Sequence, residues 1–100
     1  MKLFVVNYSH HDISALGMEN AEKIVNLTEG KVNIFHTDRL KAEMLAIMKQ
    51  EGVTDKDFLV TSGTNILNVL AALAMKEITG VVNVMLFNFN DKKYYKRTNI

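Results

Sequence analysis

Three polar stretches of this 100-residue chain carry side chains that can do chemistry. They are YSHHD, with Ser9, His10, His11 and Asp12; HTDR, with Arg39; and SGTN, Ser62 to Asn65. Serine, histidine and aspartate in a row raise nucleophilic catalysis first. Triads, however, are assembled from distant segments, and consecutive residues of an extended chain point to opposite sides. Adjacent histidines rarely share one metal, and no third ligand or acidic cluster with useful spacing accompanies them. Ser9, His10 and His11 are therefore candidate ligand contacts on a pocket rim, with no catalytic residue and no metal ligand assigned. Asp12 or Ser14 can cap a short helix beyond them.

The strongest local signal is DFLVTSGTNILN, an apolar strand, a polar loop and a helix. A helix N-terminus offers free N–H groups and the positive end of a dipole. Gly63 lets backbone come close to an anion. Ser62, Gly63, Thr64 and Asn65 are thus candidate anion contacts. No P-loop lysine and no GxGxxG accompany them, so a capped helix with a glycine turn explains the same residues. Arg39 lies at a second strand-to-helix junction. It can fork onto a phosphate or pair with Glu43 one turn on. The first option places Arg39 and the Ser62–Asn65 loop on one shared anion. Asn68 and Asn83 sit among apolar residues, and buried amides need partners from a ligand or the backbone. In the tail DKKYYKRTNI, Lys92 and Lys93 read as a solvated edge that discourages aggregation. Arg97, deeper in that strand, is the ligand candidate there.

The elements that must position these groups follow from periodicity and turn residues. Lys2 to Asn7 predicts a strand. Ile13 to Glu22 predicts a short helix interrupted by Gly17. Ile24–Thr28 and Lys31–Phe35 read as two strands around Glu29-Gly30, or as one strand and a turn. A helix capped by Thr37 or Asp38 runs to about Glu51, with Leu40, Met44, Ile47 and Met48 on its apolar face and Gly52 ending it. Phe58 to Thr61 is a strand. A second helix, about Asn65 to Thr79, is apolar nearly all round, so the most buried, and stops at Gly80. Val81 to Phe89 is a long strand, NDKK a turn, and Tyr94 to Thr98 the returning hairpin strand. The fold class is α/β: a small single domain over residues 1–100, with a mixed sheet, two main helices and a C-terminal β-hairpin. If the strands ending near Asn7, Phe35 and Thr61 are parallel, the three polar loops emerge at one sheet edge. Open α/β sheets bind ligands there.

Composition narrows the classes. The net charge is +1, so no global field recruits long nucleic acid or a membrane. There is no cysteine, hence no disulfide frame and no thiolate zinc site. Neither a signal peptide nor a membrane span is expected, which points to the cytoplasm. Apolar residues make up 48% of a short chain, with Met44, Met48, Met75, Met85, Phe87 and Phe89 in quantity. A domain this small hides only part of such a surface, so a homo-oligomer is expected.

The succession VNYSHHDIS, LTEGKVNIFHTDRL, DFLVTSGTNILNVLAAL, VVNVMLFN and YYKR resembles small phage proteins, the anti-Thoeris sponges, over most of the chain. That resemblance implies a non-enzymatic protein without a cofactor. Its ligand would be a small-molecule nucleotide signal, a cyclic ADP-ribose isomer made by immune TIR-domain enzymes or a cyclic oligonucleotide. It also implies dimers or higher oligomers, with pockets between subunits. Aromatic, asparagine and arginine residues hold the ligand in that family; the matching positions are Phe58, Asn68, Asn83, Arg39 and Arg97. The chain has only those two arginines, so Lys96 would have to substitute, less specifically. Two rival readings are a small nucleotide-processing enzyme using His10 or His11, and an interaction module that docks through its last hairpin.

Overall fold

Short apolar runs without strict alternation make strands buried on both faces. KLFV and FLV are of this kind. The computed structural model describes residues 1–8 and 21–100, so the Ile13–Glu22 helix expectation and most of YSHHD, including Ser9, His10 and His11, lie outside the described residues. The elements run β1 (Lys2–Val5), β2 (Lys23–Asn26), α1 (Thr37–Gln50), β3 (Phe58–Val60), α2 (Asn65–Thr79), β4 (Val84–Asn88) and β5 (Lys93–Arg97). They form one five-stranded sheet ordered β2-β1-β3-β4-β5. The first four strands are mutually parallel, and β5 returns antiparallel as the hairpin. The α/β class, the two helices and the hairpin are as the sequence indicates.

Alternation sorts the strand residues onto two faces. Phe4, Val6, Val25, Leu59 and Val84 meet both helices, through Leu40, Met44 and Met48 of α1 and Leu67, Leu70, Ala71, Ala74 and Met75 of α2. Leu3, Val5, Phe58, Val60 and Met85 form a second buried cluster on the other face. Met44, Met48, Met75 and Met85 are all interior and fill the core, whereas Phe89 is exposed. Along α2 the burial is one-sided: Val69 and Leu73 are each 51% exposed.

Several boundaries differ from expectation for local reasons. Lys31–Phe35 is not a strand: the Asn33 side chain accepts the Phe35 N–H at 3.0 Å, a turn that leaves Phe35 exposed. The open alternative, one strand and a turn, is what forms. Strand β4 starts only at Val84, because Val81 is held back by Thr79, whose hydroxyl bonds both its carbonyl and its N–H. Helix α1 is preceded by His36 without a side-chain cap, so neither Thr37 nor Asp38 caps it. Gly52 and Gly80 do end the helices, at φ +68° and +83°.

Candidate functional site

The strand order sets where a site can be. From β1 the chain moves outward to β2, and from β3 it moves the other way to β4. Between β1 and β3 the order reverses, and crevices at such a point, beyond the carboxyl ends of the strands, are where open α/β sheets bind ligands. The residues there are Asn7 and Tyr8 after β1, and Thr61 to Thr64 after β3.

The two strand ends are tied by a side chain. Val6 N–H still donates to the Val60 carbonyl at 3.1 Å, but one step further Ser62 Oγ replaces the ladder. It accepts the Asn7 N–H and donates to the Asn7 carbonyl, both at 2.9 Å. Asn68, one turn into α2, braces the loop. Its Oδ1 accepts the Ser62 N–H at 3.1 Å, and its Nδ2 donates to the carbonyls of Ser62 and Thr64 at 2.9 Å each. Gly63 turns with φ +77°, and a Cβ there would stand 2.8 Å from Asn7 Cβ. Close packing of the two strand ends by itself requires Gly63.

Two features at this junction are left open. Thr64 precedes α2 with no side-chain cap, and among the described residues the backbone N–H groups of Gly63, Thr64, Asn65, Ile66 and Leu67 have no acceptor. In addition Asn7, only 9% exposed, spends its Nδ2 on the Gly30 carbonyl at 3.0 Å, while its Oδ1 is buried without a partner. Buried polar atoms of this kind are few in folded proteins. The site thus presents a row of backbone donors, the Thr64 hydroxyl, the Asn65 amide and one unanswered acceptor.

Other candidate residues do not join it. The Arg39 guanidinium is 80% exposed and pairs with Glu43 at 3.2 Å, the alternative the sequence offered to a phosphate contact. The second polar loop begins at Leu27 rather than after Phe35; the β1–β2 pairing continues there through Tyr8 and Glu29. Phe58 is buried in the second core cluster, its ring 5.4 Å from Lys96 Nζ. Asn83 lies at the opposite end of the strands, where its Nδ2 donates to the Asp55 and Asp57 carbonyls and its Oδ1 accepts the Asn99 N–H. Arg97 is exposed and lines a separate cleft with Leu86, Phe89 and Tyr95. In that hairpin, the contact with Asp91 raises the Tyr95 phenol above its usual range, and burial raises Tyr94.

Sequence reasoning missed Asn7 and Asp57. The one local signal for Asn7 was its place as the first polar residue after an apolar strand; that it lies at the reversing edge follows only from the strand order. Asp57 precedes β3 and is 2% exposed, with its carboxylate accepting the Lys2 and Thr54 N–H groups at 2.7 and 2.8 Å. Among the described residues no group of three His, Asp or Glu could hold a metal, and no helix is long and apolar enough to cross a membrane. No family model, curated protein or solved structure matches the chain.

Proposed function

We propose that this protein binds a phosphate-bearing nucleotide at the reversing edge of its sheet and holds it without turning it over. The observation that carries the reading is the row of unanswered N–H groups from Gly63 to Leu67, set where β1 and β3 part. Successive backbone donors at a helix head suit an anion, and they need no reorganisation to receive it. The adjacent hydroxyl and amide suit ribose oxygens. Asn7 Oδ1 offers an acceptor to a hydroxyl if the ligand reaches it.

Binding rather than catalysis is favoured because the side chains at the junction are spent on holding the loops. Ser62 is committed to Asn7, and Asn68 to Ser62 and Thr64. Among the described residues the Ser62 hydroxyl is bonded only to the Asn7 backbone, not to a base. An enzyme needs groups whose interactions strengthen in the transition state; a trap needs tight ground-state contacts alone. The finer reading is sequestration of a cyclic ADP-ribose isomer or cyclic oligonucleotide, as a cytoplasmic homo-oligomer countering a bacterial immune pathway. It rests on the family resemblance of the sequence.

Calorimetric titration with cyclic ADP-ribose isomers, cyclic dinucleotides and inorganic phosphate tests it. One of the nucleotides should bind, tighter than phosphate, and be recovered with unchanged mass after heat denaturation. Absence of binding by all of them, or recovery of a product that accumulates with protein concentration, overturns the proposal.

A further inference from the structure

We propose that the outer edge of β5 and the cleft beside it dock an extended, acidic peptide segment of another protein, added to the sheet as a further strand. β5 is the last strand, so its outer side has no neighbour to pair with among the described residues. The register sets Lys93, Tyr95 and Arg97 on the same face as Asn88, Leu86 and Val84. Beyond Val84 this face leaves the helical layer: Leu86 is 41% exposed and Phe89, past the strand end, 83%. A cleft of about 580 Å³ opens there between Leu86, Phe89, Tyr95 and Arg97. Its size is within the range of real binding sites.

Charge chooses the occupant. Lys92, Lys93, Lys96 and Arg97 have no carboxylate partner among the described residues. A second copy of this chain is a poor guest. Antiparallel pairing of β5 with itself about Tyr95 sets Lys93 opposite Arg97, and in-register parallel pairing stacks each cation on itself. Like charges directly opposite destabilise a strand pair. A single-stranded nucleic acid would meet the cations and find the exposed Phe89 ring, but it would leave the backbone edge of β5 without a strand partner. An acidic strand answers the unpaired cations, the cleft and the β5 edge beyond the Lys93 N–H, which Asp91 already holds. Its backbone pairs with the β5 edge, alternate carboxylates meet Lys93 and Arg97, and an apolar side chain enters the cleft. Edge lysines that merely block aggregation would account for the charge but not for the apolar cleft.

The inference does not depend on a ligand at the head of α2. The test is fluorescence anisotropy with a labelled peptide alternating Glu and Val, beside a Lys–Val counterpart and a labelled oligothymidylate. The Glu–Val peptide should bind, the others should not, and its affinity should fall as salt rises. The double variant Lys93→Glu, Arg97→Glu should lose about tenfold or more in affinity, with an unchanged thermal unfolding curve because both residues are exposed. Amide exchange should slow along β5 in the complex. Equal binding of acidic and basic peptides, parent-like binding by the double variant, or preference for oligothymidylate overturns the proposal.

Discussion

The two ends of the parallel strands handle buried polarity differently. At the N-terminal end, Asp57 answers the N–H groups of Lys2 and Thr54, and Asn83 ties Asp55, Asp57 and Asn99 together. Lys2 Nζ stands 3.9 Å from the same carboxylate. Both carboxylate oxygens of Asp57 and both amide atoms of Asn83 have partners. At the C-terminal end, Ser62 and Asn68 close the base of the crevice just as firmly, yet Asn7 Oδ1 and the N–H groups at the head of α2 stay unanswered. One end stabilises; the other is braced and then left with free valences. A protein that had only to fold could have capped α2 with Thr64 itself.

Breaking the closed end should have the largest effect on the fold. Asp57→Ala leaves the part-buried N–H groups of Lys2 and Thr54 without an acceptor and should destabilise by about 2–4 kcal/mol in denaturant unfolding. A loss under about 1 kcal/mol would mean that water reaches the knot, and the contrast between the ends would weaken. Next comes Gly63→Val. Its Cβ meets Asn7 and its φ is left-handed, so about 2–4 kcal/mol should be lost from overpacking and strain. Nucleotide binding should fall with the fold, which makes this variant a probe of the brace and not of the anion. Full stability in the same unfolding experiment would show that the strand ends are not packed as described. Arg39→Ala sharpens the contrast from outside. An exposed pair on one helix contributes about 0–1 kcal/mol, so unfolding should hardly shift and the nucleotide titration should match the parent's. A tenfold weaker affinity would bring Arg39 back to the ligand.

How much of this was legible in the sequence depends on range. Both helices were readable to within one or two residues, since Gly52 and Gly80 end them and α1 carries Leu40, Met44 and Met48 at helical spacing. The junction at Ser62 to Asn65 was readable as a strand–glycine–helix transition. Strand ends were not, because they are set by partners distant in sequence. Val81 looks like strand until Thr79 captures it, and Lys31 to Phe35 alternates like a strand until Asn33 turns it. The site's other half, Asn7, becomes visible only when β1 and β3 are adjacent, 55 residues apart at the Asn7–Ser62 contact. Arg39 and Asn83 stand out in the sequence as charged or misplaced polar residues, but each is held by its own neighbours, Glu43 for Arg39 and the Asp55 and Asp57 carbonyls for Asn83.

The central claim is that the free N–H groups at the head of α2 receive the ligand, and Asn65→Pro tests it most directly. Asn65 is the first helical residue, where proline is well tolerated and no intrahelical bond is lost. Thr64 before it already has φ −74° and ψ 156°, the extended conformation that a following proline requires. The fold should therefore keep its stability, or gain up to about 1 kcal/mol from a stiffer unfolded chain. One anion-facing donor is removed. Calorimetric titration with the nucleotide that binds the parent should show affinity lower by roughly one to two decades, the equivalent of about 1.5–3 kcal/mol for a charge-assisted contact. A folded Asn65→Pro variant that binds as tightly as the parent would contradict the account.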